Sequence, residues 1–226
     1  MILDERENKI LDFLVRDFIS TAEPVSSLRI RQGLKMKESP ATIRNIVADL
    51  DECGFCDQPH VSSGRVPTDM AYRYFVDNLM AESDIGRDTL NKMRRMISRD
   101  EGSVSRFFAE ALNLLSFSSF DGEHFSSHGI SRLLDEPEFK NGDSARDAGY
   151  LIDHISETVN LYREEPKKDR RVFIGRENPA RYAQAFGVFY TESDMGGNKN
   201  IVILVGPKRM DYERVSNHVS HFLDEF

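Results

Sequence analysis

The stretch SPATIRNIVADLDECGF, residues 39–55, decides how the chain is organised. Ser39 followed by Pro40 is typical of a helix start, with serine as N-cap and proline at the first helical position. Gly54 is a natural stop. The apolar residues recur at helical spacing and predict a buried side made of Ile43, Ile46, Val47 and Leu50. The other side of this helix stays polar, which is the division that a helix in the DNA major groove requires.

The segments around this helix predict a winged helix-turn-helix over residues 1–80. A helix over Asp4–Ile19 and a short helix over Ser26–Gln32 precede it. After it, Phe55–Pro59 and Arg65–Val66 are short extended pieces around the polar segment 60–64, which is typical of a hairpin. Gly64 is expected to adopt positive φ in that turn. A fourth helix is predicted over Asp69–Leu79.

The polar residues of this region are the candidate DNA contacts. Arg44 can pair bidentately with guanine and Asn45 with adenine, whereas small donors at a helix start or wing tip suit phosphate and groove edges. An ordinary solvated helix and an ordinary polar turn are the alternative interpretations. The candidates are Ser39, Thr42, Arg44 and Asn45 on the helix, His60, Ser62, Ser63, Gly64 and Arg65 on the wing, and Arg29, Arg31 and Lys35 for phosphate.

Composition limits the function classes. The chain has 226 residues and a net charge of −8, but residues 26–75 carry seven basic and six acidic side chains, so the negative charge lies elsewhere. A DNA reader needs a locally basic face and not a basic whole. No apolar run of membrane-spanning length and no signal peptide occur, which predicts a cytoplasmic protein. No nucleophile–base pair or phosphate-binding loop occurs, so neither enzyme activity nor a cofactor is predicted.

The remainder of the chain predicts a helical connector at 81–115 and an α+β domain at 116–226. The connector comprises helices over Asp84–Asp100 and Val104–Leu115. Within the domain, Ser116–Ser131 is expected to be a loop and Ser144–Tyr162 one long helix. The predicted strands are Val172–Ile174, Gln184–Thr191 and Asn200–Val205, the last two joined through residues 195–198, and the closing helix is Asp211–Phe226.

Three blocks of this sequence, in the right order, resemble the HrcA family of heat-inducible transcription repressors. The first holds SPATIRN at 39–45, ADL at 48–50, PH at 59–60, GR at 64–65, PT at 67–68 and YR at 72–73. The second is GISRLLDEPEF at 129–139, and the third holds IG at 174–175, EN at 177–178, VGP at 205–207 and RMDY at 209–212.

The resemblance implies a homodimeric repressor that binds double-stranded DNA at an inverted-repeat operator, CIRCE, and is kept active by the chaperonin GroEL. It implies a winged helix, a GAF-like domain and an inserted dimerisation domain. Between Phe120 and His128, however, this chain has only a short stretch where the family carries its first sheet strands and the insertion. A reduced GAF-like α+β domain is therefore expected, with dimerisation through other surfaces. Ile46, Leu28 and Val61 also depart from the family pattern, which makes an altered operator possible.

Two other readings remain open. Cys53 and Cys56 have CxxC spacing with His60 nearby, so the chain could be a metal- or redox-sensing winged-helix regulator. A structural zinc usually has four ligands, which makes small packed cysteines the simpler interpretation. Alternatively, the chain could contact chaperones without binding DNA.

Overall fold

The computed structural model describes residues 3–97, 102–140, 142–165, 171–195 and 198–225. The chain divides into two compact units, residues 1–81 and residues 82–226. Among the described residues, no helix has the length and apolar character needed to cross a membrane.

The first unit is a winged helix-turn-helix, as the sequence predicts. Its elements are α1 (Glu5–Thr21), α2 (Ser27–Gly33), α3 (Pro40–Glu52), β1 (Cys56–Asp57), β2 (Val66–Pro67) and α4 (Asp69–Asn78). The four helices begin at side-chain caps that accept backbone N–H bonds, namely Asp4, Ser26, Ser39 and Thr68. The two strands pair antiparallel, and Val25 forms a further antiparallel bridge with Arg65.

The core of the first unit forms where the apolar sides of its helices meet. α1 contributes Ile10, Leu11 and Leu14, all fully buried. α3 packs on α1 and α2, and the buried members of its apolar side are Ile43, Val47 and Leu50. Each such side chain contributes roughly 1.5–3 kcal/mol when fully buried, so this packing fixes the rotation of α3 about its own axis.

The second unit is α+β with one five-stranded antiparallel sheet. Its elements are α5 (Arg87–Ile97), α6 (Ser103–Leu112), β3 (Leu115–Ser119), β4 (Ser126–His128), α7 (Ile130–Asp135), α8 (Gly142–Asp153), α9 (Ile155–Glu164), β5 (Arg171–Ile174), β6 (Phe186–Met195), β7 (Asn198–Pro207) and α10 (Tyr212–Glu225). The strand order is β4-β3-β7-β6-β5.

Both faces of this sheet are covered by helices. On one face Phe117, Val188 and Ile203 join a core completed by residues of α7, α8 and α9, among them Leu151 and Tyr162. On the other face the N–H of Ser105 in α6 donates to Ser118 Oγ on β3. Phe108 of α6 meets Phe222 of α10 edge-on at 5.5 Å between ring centroids.

Two predictions for this unit are wrong. Ser116–Ser131 is not a loop, because β3 and β4 lie within it. Ser116, Ser118 and Ser119 on β3 are buried, and Ser118 Oγ accepts the N–H of Ser105. Ser144–Tyr162 is not one helix either, since the backbone leaves helical geometry at His154, between α8 and α9.

Strands β6 and β7 extend further than expected, to Met195 and from Asn198. The predicted turn glycines, 196–197, and the end of the predicted connector helix, residues 98–100, lie outside the described residues.

The second and third family blocks are structural elements of this unit. Arg209, from the third block, forms ion pairs with Glu136 and Glu138 of the second block. Asn178 is buried; its amide donates to the carbonyls of Gly175 and Phe186, and its Oδ1 accepts from the Tyr162 hydroxyl at 2.7 Å. The Arg209 ion pairs therefore connect the second block to the third, whereas Asn178 connects the third block to α9 and β6.

Replacing Asn178 with alanine should lower the free energy of unfolding by about 2–4 kcal/mol, because the Tyr162 hydroxyl and two carbonyls lose buried hydrogen bonds. Urea unfolding followed by circular dichroism measures this change. Asn160→Ala is the matched control, since Asn160 is exposed and its replacement should cost less than about 0.5 kcal/mol. Equal losses for the two variants would show that the Asn178 network is not stabilising.

Candidate nucleic-acid interface

Helix α3 presents a polar face outward from its first turn. Ser39 Oγ accepts the N–H of Thr42 at 3.1 Å and lies 2.9 Å from Thr42 Oγ1, which fixes the helix start. Thr42, Arg44 and Asn45 are exposed. Neither Arg44 nor Asn45 makes a side-chain hydrogen bond or ion pair within the part of the chain that the structure describes. Both side chains are therefore available to a ligand.

The border between the two faces of α3 differs slightly from the sequence prediction. Ile46, expected among the core residues, is only half-buried, and Ala48 is half-buried as well. Both lie at the edge of the apolar stripe, where a helical period of 3.6 residues places side chains neither fully in nor fully out.

The hairpin tip is a tight turn closed by its own side chains. The N–H of His60 donates to Ser63 Oγ at 3.0 Å, and Ser63 Oγ donates to His60 O at 2.7 Å. The Gln58 amide donates to the carbonyls of Val61 and Ser63, each at 3.0 Å. Ser63 is thus engaged in the turn, whereas His60 and Ser62 are exposed and Val61 at the apex is 98% exposed.

Gly64 is required for a reason other than the predicted one. Its φ is not among the positive values of the described backbone. A Cβ at this position would instead lie 2.5 Å from both the carbonyl carbon and the oxygen of Val25. Glycine therefore allows the returning wing strand to approach the α1–α2 loop closely enough for the bridge between Val25 and Arg65.

Arg65, predicted as a wing contact to DNA, is held within the protein. Its Nε lies 2.7 Å from Asp51 Oδ2 near the end of α3, and its side chain is 19% exposed. The sequence does not predict the supporting roles of Asp51 and Gln58. Their contacts form only when the hairpin folds back, and no local pattern in the sequence signals them.

The three candidate phosphate contacts also differ from one another. Arg29 pairs with Asp17 at 2.9 Å and with Glu23 at 3.5 Å, so its guanidinium is largely engaged. Lys35 is exposed and Arg31 half-buried. Neither of these two forms an ion pair with another described residue. Of the three candidates, Arg31 and Lys35 are therefore the two whose charged groups remain available to a phosphate.

The two cysteines lie in different environments. Cys56 is fully buried on β1 and its Sγ faces Val47 O at 3.7 Å. Burial raises the pKa of the Cys56 thiol to about 12, whereas metal binding and thiol redox chemistry need the thiolate. Cys53 is exposed. Within the described ranges, no cluster of three or more His, Cys, Asp or Glu side chains is arranged to hold a metal ion.

Comparison with known proteins identifies a family and several relatives. The family model for the HrcA protein C terminal domain matches residues 74–215. Heat-inducible transcription repressors HrcA from Pelotomaculum thermopropionicum and Desulfitobacterium hafniense are 44% and 42% identical over 118 and 116 residues, which are 51% of this chain and 34% of each relative. In these matches the chain spans about a third of its relatives' length.

A third match covers both proteins almost entirely. The HrcA repressor of Chlorobium phaeobacteroides is 25% identical over 340 aligned positions, covering 98% of this chain and 97% of the relative. Because this chain has only 226 residues, more than a hundred positions of that relative have no counterpart here. A crystal structure of a hypothetical protein shares the fold, with a TM-score of 0.82 at 16% identity over 99% of this chain and 97% of the other.

Gly64→Ala should destabilise the first unit by about 1–3 kcal/mol, because the new methyl group overlaps the Val25 backbone and the wing must move away. Thermal unfolding followed by circular dichroism measures the loss. Ser62→Ala, two residues away and exposed, should change stability by less than about 0.5 kcal/mol. A Gly64→Ala variant as stable as the parent would contradict the close approach.

Alkylation should distinguish the two cysteines. With a pKa of about 12, roughly one Cys56 thiol in ten thousand is ionised at pH 8, and the side chain is also inaccessible. Iodoacetamide at pH 8, followed by peptide mass spectrometry, should label Cys53 in the folded protein and Cys56 only in urea. Equal labelling of both cysteines without denaturant would contradict the buried position of Cys56.

Proposed function

The chain belongs to the HrcA family, and from this membership we propose that it is a transcription repressor that binds double-stranded DNA through α3 and the wing. The observation that carries the proposal is the exposed face of α3, where Thr42, Arg44 and Asn45 project from a helix whose opposite side is buried. The names of the relatives, heat-inducible transcription repressors, support the same function. The proposal is one of binding and not of catalysis, and it places the protein in the cytoplasm.

The side chains divide between base and backbone contacts. Arg44 and Asn45 have the planar, bidentate groups that distinguish guanine and adenine in the major groove. The hydroxyls of Ser39 and Thr42, at the start of α3, suit a phosphate oxygen. Arg31 and Lys35 add sequence-independent attraction. His60 and Ser62 are the exposed polar groups of the wing tip, and the apolar Val61 between them suits the sugar edges of a groove.

The finer part of the proposal is an inverted-repeat operator of the CIRCE type, bound by a homodimer. A two-fold symmetric site is matched by a two-fold symmetric protein, with one α3 in each half-site. Because this chain is much shorter than its Chlorobium relative, the dimer would use surfaces other than an inserted domain, or form on DNA. Analytical ultracentrifugation with and without the duplex tests this; a single chain bound to one half-site would refute it.

The family resemblance extends the proposal to heat regulation of chaperone genes, with the chaperonin GroEL as a partner that favours the DNA-binding form. Gel shifts with the CIRCE duplex at fixed repressor concentration test this part. Added GroEL should increase the shifted fraction. Adding the same volumes of buffer without GroEL should leave that fraction unchanged. An unchanged fraction across the titration would remove GroEL from the proposal and leave DNA binding untouched.

Replacing Arg44 with alanine should weaken binding to a CIRCE duplex by about 1–3 kcal/mol and relax the base preference at one operator position. Fluorescence anisotropy with the operator and with a scrambled duplex of equal composition measures both effects. The loss on scrambled DNA should be much smaller, because a guanidinium that reads a base is specific to the matched sequence.

Arg31→Ala is the matched control for Arg44→Ala, since it removes the same charge from a position assigned to phosphate. It should weaken binding to both duplexes alike and lower the slope of log K against log salt by about 1. If Arg44→Ala instead behaves like Arg31→Ala, Arg44 is not a base contact. If the unsubstituted protein binds the two duplexes equally, the proposed function itself fails.

A further inference from the structure

One residue joins three elements of the first unit. The Arg65 guanidinium forms its ion pair with Asp51, 2.7 Å away near the C-terminal end of α3. Its backbone N–H donates to Val25 O at 2.9 Å, and its carbonyl accepts from Val25 N at 2.8 Å. Arg65 thereby connects the strand that returns from the wing tip with α3 and with the loop before α2.

The position of the Arg65 side chain is unsuited to a phosphate contact. It is 19% exposed, and Asp51 beside it is 32% exposed. A guanidinium that turned outward to DNA would leave the Asp51 carboxylate half-buried and unpaired, which costs free energy. Arg44 and Lys35, in contrast, are exposed and unpaired among the described residues.

We propose that Arg65 and Asp51 are a positioning pair that sets the angle of the wing against α3, and that Arg65 itself does not contact DNA. This inference rests on the proposed function. The pair would act by keeping the wing in the binding-competent arrangement before DNA arrives. When that arrangement is populated only part of the time, the apparent dissociation constant rises in proportion.

Simple electrostatics and positioning predict opposite signs for Asp51. Removing a carboxylate from a surface that faces phosphates reduces repulsion, and it would also release Arg65 toward the DNA, so affinity should rise. Under the positioning role, the same change loosens the wing and affinity falls. The sign of the Asp51→Ala effect therefore separates the two roles directly.

The experiment uses Asp51→Ala, Arg65→Ala and the double variant in the full chain, with Asp49→Ala as control. Asp49 is exposed on the same helix and forms no ion pair with another described residue. Anisotropy with the CIRCE duplex at several salt concentrations should show roughly three- to tenfold weaker binding for both single variants. The double variant should be no weaker than either, the salt slope should not change, and Asp49→Ala should bind at least as well as the parent.

Hydrogen–deuterium exchange of the DNA-free protein gives a second readout. Peptides covering residues 58–66 should exchange faster in both Asp51→Ala and Arg65→Ala, but not in Asp49→Ala, while α1 peptides stay unchanged. The inference is overturned if Asp51→Ala binds as tightly as the parent or tighter, or if Arg65→Ala lowers the salt slope by about 1. It is also overturned if wing exchange is unaffected. Should the unsubstituted protein show no operator preference, the proposed function fails, and the exchange data still decide whether the pair holds the wing.

Discussion

Burial of Ile43, Val47 and Leu50 beneath α3 is the constraint on which the rest of the site depends. Three side chains at 3.6-residue spacing fix the rotation of the helix, because turning it would expose them to water. That fixed rotation directs Arg44 and Asn45 outward, and their exposure is a consequence of the packing and not a separate feature. The cap at Ser39 then fixes where the helix begins.

The wing depends on few contacts, and most of them involve backbone. The strand pairing spans only two residues on each side, too little to hold a hairpin alone. Close approach at Gly64, the bridge between Val25 and Arg65, and the ion pair with Asp51 supply the remainder. The tip is closed separately by Ser63 and Gln58. Ser63 and Arg65, both predicted to contact DNA, thus also hold the hairpin in place.

Local signals in the sequence predict the first unit well. The helix start at Ser39-Pro40 and the periodic spacing of the apolar residues each depend on residues within a single helix. Contacts between distant segments of the chain have no such local signal and are not predicted. Ser116–Ser131 is rich in serine and predicts a loop, yet it forms strands because β3 pairs with β7, nearly ninety residues away. Gly64 is needed for a close approach and not for positive φ, and no local pattern signals this because its neighbour Val25 is distant in sequence. The ion pair between Arg65 and Asp51 has no local signal either, because Asp51 belongs to a different element.

Backbone NMR spectra recorded while the CIRCE duplex is added test the central claim most directly. If α3 and the wing form the interface, the largest amide shift changes will fall within residues 39–48 and 58–65, with little change in the sheet of the second unit. Duplex binding accompanied by changes confined to residues 82–226, with those two segments unaffected, would contradict the account.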